Sequence, residues 1–148
     1  MKAVLQRANG ASVTVDGEVV GGFDGEGLVA LVGVHKEDSP EDATRLARRI
    51  ATLRILEGER SVEDTGAPVL VISQFTLYGL TRKGTKPSWS DAAPGPVAEP
   101  LVDSVVAELR ARGLTVSTGV FGAMMDVSLT NSGPFTVIVD TRETRSGK

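Results

Sequence analysis

The sequence predicts one α+β domain with a compact, strand-rich, barrel-like sheet core and two helices packed on it. Three observations support this prediction. Several apolar runs lie between turns that contain glycine or proline, two other segments space their apolar residues as helices do, and no repeat or linker divides the chain. The 148 residues suffice to bury one sizeable core, so we expect residues 1–148 to form a single domain.

The first quarter of the chain is predicted to consist of strands. Residues 2–8 alternate between apolar and polar side chains. Residues 12–15 and 18–21 flank Asp16-Gly17, a favoured two-residue hairpin turn. The apolar run over residues 28–34 is typical of a strand buried on both faces.

Capping residues and the spacing of apolar residues predict two helices. The first is predicted to begin at Ser39 and Pro40, because serine caps a helix and proline suits its first turn. The second is predicted to begin at Pro100 and to end near Gly113. A long loop, rich in glycine and proline, is expected over residues 79–95. Further strands are predicted at residues 68–75, 114–120, 125–129 and 135–140.

The composition excludes several kinds of chemistry. Without cysteine the chain cannot use a thiol nucleophile, a cysteine-ligated metal or a disulfide, and any Ser-His-Asp triad would depend on His35, the single histidine. We expect no metal and no cofactor. The net charge of −3 argues against general coating of nucleic acid, and we expect no DNA partner. No run approaches the ~18 apolar residues of a membrane helix, so we expect no membrane partner and a cytoplasmic location.

Residues 73–77, Ser-Gln-Phe-Thr-Leu, follow a predicted buried strand directly. The ends of strands are places where rigid scaffolds commonly present functional groups. In an ordinary strand, alternation would turn the polar residues outward and the apolar residues inward. From spacing alone, this purely structural role is favoured over a functional one.

Residues 131–136, Asn-Ser-Gly-Pro-Phe-Thr, lie between two predicted strands. All but the last two are turn formers, so an ordinary turn explains them. The Gly133-Pro134 bond is one of the few places where a cis peptide is affordable, and such a bond would aim two successive carbonyls the same way.

Residues 82–89 combine three cations, hydroxyl groups and Trp89 within the long loop. The combination suits contact with phosphates or bases. The alternative is a solvated loop whose tryptophan covers the core, and composition alone favours that alternative.

Together these segments resemble the D-aminoacyl-tRNA deacylase family of the bacterial and eukaryotic type. Its two signature motifs, Ser-Gln-Phe-Thr-Leu and Asn-x-Gly-Pro-x-Thr, are complete at residues 73–77 and 131–136. Residues 1–8, 12–15 and 119–125 are also similar to the family, so the resemblance covers essentially the whole chain. The loop departs from it, because relatives often have Lys-Gly-Asn-Arg-Pro-Ser-Phe where this chain has Lys-Gly-Thr-Lys-Pro-Ser-Trp at residues 83–89.

The resemblance implies hydrolysis of the ester between a D-amino acid, or mischarged glycine, and the 3′ end of tRNA. It also implies a homodimer, in which a Gly-cisPro pair from each subunit enters the other subunit's site and rejects L-amino acids. Carried onto this chain, the implied catalytic residues are Gln74, Phe75 and Thr76. The implied substrate-binding residues are Ser73, Met124, Met125, Asn131, Gly133, Pro134 and Thr136, and the implied tRNA-binding residues are Arg82, Lys83 and Lys86.

Two mechanisms remain open at this stage. Thr76 could be a nucleophile, but a threonine hydroxyl needs a base, and neither motif contains histidine or lysine. The favoured alternative uses backbone N–H groups at residues 74–76 as an oxyanion hole and the free ribose hydroxyl of the substrate to position the water. Competing functions are an esterase or amidase of small metabolites, a noncatalytic RNA-binding module and a purely structural dimer.

Overall fold

A five-stranded mixed sheet organises the protein, as seen in a computed structural model that describes residues 1–144. The strands are β1 (Lys2–Val15), β2 (Glu18–Gly33), β3 (Val69–Ser73), β4 (Val116–Thr118) and β5 (Asp126–Asp140). Their order in the sheet is β4-β3-β2-β1-β5. β1 pairs antiparallel with β2 and β5, whereas β2, β3 and β4 run parallel. Residues 145–148 of the predicted domain lie outside the described residues.

Two long helices, α1 (Pro40–Thr52) and α3 (Gly95–Ala111), pack on this sheet and confirm the predicted α+β class. Three short elements complete the fold: α2 (Val62–Thr65), a 3₁₀ helix (Phe75–Tyr78) and α4 (Thr141–Thr144). No helix among the described residues is long and apolar enough to cross a membrane.

The first helix begins where the sequence predicts, and the second does not. The Ser39 N–H donates to Asp42 Oδ2 at 2.9 Å, so the aspartate closes the first turn of α1. α3 begins at Gly95 rather than Pro100, which lies inside the helix. Pro96, at the N-terminal position that suits proline, supplies the start.

Several predicted strands are joined into longer ones. Residues 2–8 and 12–15 form a single β1, and residues 18–21 and 28–33 belong to the 16-residue β2. The glycines between them produce irregularities in the pairing instead of turns; Gly10, for instance, has a φ of +83° next to a register shift. Likewise, the predicted turn over residues 131–134 lies inside β5.

The sheet curls where β4 approaches the first half of β2, and this curvature gives it the expected barrel-like shape. The Ser117 hydroxyl in β4 donates to the Gly22 carbonyl in the first half of β2 at 2.9 Å. Next to it, a Cβ at Gly21 would overlap with the Thr118 carbonyl oxygen. Glycine is therefore needed for the close approach of β2 to β4.

Apolar residues fill both sides of the central strands, as predicted for residues 28–34. Leu28, Ala30 and Val32 pack toward the helices, whereas Val29 packs with Leu70 of β3 on the opposite face. The two faces of the sheet thus have separate cores, which bury its central strands on both sides.

A buried polar network joins the start of β1 to α1 and α4. The α-ammonium of Met1 lies 2.8 Å from Asp38 Oδ2, and neither group is exposed. The same ammonium donates to Thr141 Oγ1 at 2.7 Å, and this hydroxyl donates to Asp42 Oδ1 at 2.8 Å. The buried charges are therefore paired, as burial requires.

Candidate active site at the strand ends

The carboxyl ends of the three parallel strands meet at one edge of the sheet. Val34 follows β2, residues 74–76 follow β3, and residues 119–125 follow β4. The outlets of neighbouring parallel strands are a common location for ligand sites, because the chain leaves the sheet there on a rigid support. A cavity of about 430 Å³ opens at this edge. We call it the strand-end cavity.

The strand-end cavity is mostly apolar. Strands β2 and β3, helix α3 and the segment after β4 all contribute to its wall. Among the residues that the structure describes, none of those lining the cavity has an ionisable side chain. The lining residues are Val32, Val34, Ile72, Ser73, Gln74, Phe75, Ala93, Gly95, Ala98, Val102, Phe121, Gly122, Ala123, Met124, Met125 and Val127.

The Ser-Gln-Phe-Thr segment contributes backbone amides and an amide side chain. The Gln74 N–H donates to the Val32 carbonyl at 2.7 Å, which fixes the turn out of β3. Phe75 and Thr76 begin the 3₁₀ helix, and the first N–H groups of a helix have no acceptor within it. The Gln74 Nε2 donates to Thr76 Oγ1 at 2.6 Å. The structure therefore places two helix-terminal amides beside an amide–hydroxyl pair.

Both methionines of the segment after β4 line the cavity. Met124 is 92% exposed, whereas Met125 packs its sulfur against Gly119, where a Cβ would overlap with it. Sequence reasoning missed Phe121 and the α3 residues of the wall. Helical spacing placed Val102 on the apolar face of the second predicted helix. Nothing in the sequence indicated that this face of α3 reaches the end of β3.

The second signature segment, residues 131–136, bulges out of the β1–β5 pairing within β5, and we call it the projecting segment. One residue of β1, Arg7, faces four residues of β5 between the pairs Gln6–Thr136 and Ala8–Asn131. The Arg7 guanidinium donates to the Gly133 carbonyl at 2.8 Å and to the Ser132 carbonyl at 3.1 Å. It also lies 4.9 Å from the centre of the Phe135 ring. Arg7 therefore holds the projecting segment in place, and only the register of β1 with β5 reveals this role.

Asn131 and Thr136 close the base of the projecting segment. The Asn131 Nδ2 donates to the carbonyls of Arg7 and Phe135 at 3.0 and 3.2 Å. The Thr136 hydroxyl donates to Asn131 Oδ1 at 3.3 Å. Between them Gly133 and Pro134 are exposed, and the peptide bond that joins them is cis.

The structure does not bring the two signature segments together within one chain. Ser73, Gln74 and Phe75 line the strand-end cavity, whereas no residue of the projecting segment does. The exposed Gly133-Pro134 pair therefore does not line the cavity of its own chain.

The loop cations surround a second hollow. Leu80 and Ser88 exchange two backbone hydrogen bonds of 2.8 and 2.9 Å, and residues 80–88 form what we call the basic hairpin. Arg82, Lys83 and Lys86 line its hollow of about 720 Å³. All three are exposed, and within residues 1–144 none forms an ion pair with an acidic side chain.

The side chains of His35 and Tyr78 lie outside the strand-end cavity. His35 is half-buried, with its Nδ1 accepting from the Glu37 N–H at 3.0 Å and lying 2.9 Å from Arg142 Nη2. Its ring packs edge to face on Tyr78 at 5.3 Å. Burial, followed by the Asp38 carboxylate, raises the pKa of Tyr78 above its usual value, so this phenol stays protonated.

Comparisons with known proteins support the family that the two signature segments indicate. The family model described as D-Tyr-tRNA(Tyr) deacylase matches residues 4–140. A D-aminoacyl-tRNA deacylase of Thermobifida fusca is 65% identical over 95% of this chain and 99% of its own length. A D-aminoacyl-tRNA deacylase of Micrococcus luteus is 64% identical over 97% of this chain and 95% of its own. A solved structure named c-Myc DNA Unwinding Element Binding Protein has a TM-score of 0.87 and 38% identity, covering 95% of this chain and 98% of that one.

Proposed function

The chain belongs to the D-Tyr-tRNA(Tyr) deacylase family and is a hydrolase of the D-aminoacyl-tRNA ester; from this premise we propose that it acts in chiral proofreading of translation. The reaction adds water to the ester and releases a free D-amino acid and tRNA. In this proposal the ester and the terminal adenosine occupy the strand-end cavity. Met124 and Met125 lie near the adenine, and Ser73 lines the site.

One observation carries the proposed mechanism: the described residues lining the strand-end cavity include no ionisable side chain. Ester hydrolysis needs a proton acceptor for the attacking water. The ribose hydroxyl next to the ester is the group that the substrate itself brings to this position. We therefore assign to it the positioning and activation of the water.

Backbone amides stabilise the developing oxyanion. The Gln74 N–H is already bonded to Val32, which leaves those of Phe75 and Thr76 at the start of the 3₁₀ helix. Preorganised donors of this kind contribute roughly 3 kcal/mol each in known hydrolases. The Gln74 side chain orients Thr76 through the 2.6 Å hydrogen bond.

Rejection of L-amino acids is assigned to Gly133 and Pro134 of a second copy of the chain. Both residues are exposed on the projecting segment, whose carbonyls accept hydrogen bonds from Arg7, and neither lines the cavity of their own chain. In a homodimer each projecting segment would close the partner's strand-end cavity on one side of the substrate Cα. Exclusion then comes from steric clash, and glycine, which has no side chain, is hydrolysed as well.

Mixed dimers test the contribution of the second copy. Phe75→Ala removes a cavity wall, and Pro134→Ala alters the projecting segment of the other chain. If the site is shared, a heterodimer of the two variants has one site with both features intact. It should hydrolyse D-aminoacyl-tRNA and reject L-aminoacyl-tRNA better than either parent. If the heterodimer shows only the average of its parents, the shared site is wrong.

The loop cations are assigned to the tRNA. Arg82, Lys83 and Lys86 are exposed and free of acidic partners among the described residues, which suits contact with phosphates. The proposal includes a cytoplasmic location, which a tRNA substrate supports.

Deacylation of matched D-, L- and glycyl-tRNAs tests the function as a whole. We expect turnover of the D- and glycyl-tRNAs and survival of the L-aminoacyl ester. Equal cleavage of a simple D-amino acid methyl ester would instead favour an esterase of small metabolites. Salt-sensitive binding of uncharged tRNA without turnover would favour a noncatalytic RNA-binding module. A duplex DNA of similar length serves as the control for general nucleic-acid binding.

A further inference from the structure

Trp89 lies between the strand-end cavity and the basic hairpin. Its ring centre is 5.4 Å from that of Phe75, a cavity residue, with the two rings at 74°. On the other side it follows Ser88 and packs on Gly79, both of which line the hollow of the basic hairpin. The indole therefore joins the two regions to which the proposed function assigns the ester and the tRNA phosphates.

The indole is both held in place and accessible. A Cβ at Gly79 would lie 2.7 Å from Trp89 Cζ3, so the six-membered ring rests directly on this glycine. The Trp89 carbonyl accepts from the Ala92 N–H at 3.0 Å, which anchors the backbone beyond the hairpin. Trp89 is nevertheless 43% exposed, and its neighbour Phe75 is 55% exposed. A large aromatic surface that is positioned but not covered suits a flat ligand.

We propose that Trp89 stacks the nucleobase that precedes the terminal adenosine of the substrate, an inference that rests on the proposed function. In the proposed function the aminoacyl ester at the 3′ end of the tRNA occupies the cavity, and the tRNA phosphates contact the basic hairpin. The RNA chain between these two points must therefore pass the indole. Stacking on an aromatic side chain tolerates any base, because every base has a π-face. Trp89 thereby extends recognition beyond the terminal nucleoside without reading the sequence of the tRNA.

Kinetics with substrates of two lengths test the assignment. For Trp89→Leu we expect KM for D-aminoacyl-tRNA to rise about 5- to 150-fold, the range typical of one base–aromatic stack. With D-aminoacyl-adenosine, which lacks the preceding nucleotide, KM should stay within about twofold of the wild-type value. Trp89→Phe keeps an aromatic face and should recover most of the loss. Val97→Ala, at another exposed apolar residue, is the matched control.

Gly79→Ala tests the position of the indole without changing any ring. The added Cβ would displace the six-membered ring, and the backbone of Gly79 has an ordinary φ of −63°. We expect the same length-dependent rise in KM as for Trp89→Leu.

Fluorescence provides a direct readout, since Trp89 is the single tryptophan of the chain. The trinucleotide CCA should quench it at concentrations that inhibit deacylation, and adenosine should not. The proposal is overturned if Trp89→Leu raises KM equally for both substrates or for neither. Turnover of D-aminoacyl-tRNA by the wild-type protein tests the proposed function separately, so the two can fail independently.

Discussion

In the proposed mechanism the Thr76 hydroxyl is a hydrogen-bond partner and not the nucleophile, so Thr76→Val should reduce deacylation only modestly. Its oxygen accepts from Gln74 Nε2 at 2.6 Å, and an amide cannot act as the base that a threonine nucleophile requires. The described residues that line the cavity supply no base either.

The expected magnitude follows from this single contact. A neutral hydrogen bond contributes about 0.5–1.5 kcal/mol, which corresponds to a loss of about 2- to 13-fold in kcat/KM. Loss of a true nucleophile costs far more, on the order of 10⁶-fold in kcat for a serine hydrolase. The two mechanisms therefore differ by several orders of magnitude.

Single-turnover deacylation of D-aminoacyl-tRNA measures the difference. Thr115→Val is the matched control, because Thr115 is exposed and lies at the opposite end of β4 from the cavity. A 2′-deoxy substrate should react much more slowly with both the wild type and Thr76→Val. Complete loss of activity in a folded Thr76→Val protein, or full-rate hydrolysis of the deoxy substrate, would refute the substrate-assisted mechanism.

Three further predictions concern stability and binding. Asp38→Asn leaves the buried Met1 ammonium without its carboxylate and should lower the free energy of unfolding by about 3–5 kcal/mol. Asp91→Asn, at a partly exposed pair, should lower it by less than about 1 kcal/mol, and equal shifts in Tm for the two variants would contradict this. Gly21→Ala should destabilise the protein by about 1–3 kcal/mol, because its Cβ overlaps with a β4 carbonyl; an unchanged urea midpoint would show that the sheet does not close there. Lys83→Gln should lower the slope of log Kd against log salt concentration for uncharged tRNA by about 0.7–0.9. Equal slopes for the variant and the wild type would exclude a phosphate contact at Lys83.

Local patterns predicted much of the fold. The apolar run at residues 28–34 indicated a strand buried on both faces, and the two faces of β2 indeed contact separate cores. Ser39 and Pro40 marked the start of α1 because capping depends on neighbouring residues only. The glycines in β1 and β2 were misleading, since a positive φ is compatible with either a turn or a bulge and only strand pairing decides between them.

For the candidate site, the sequence determined which residues and chemistry are present. The two complete signature segments identified the family, and the absence of cysteine with a single histidine narrowed the available nucleophiles and bases. The tertiary structure alone decided where these residues lie. Parallel pairing of β2, β3 and β4 gathers their ends around an apolar cavity, and the register of β1 with β5 makes residues 131–136 a bulge that does not line it. Such placements depend on contacts between residues distant in the chain, and no local spacing contains them.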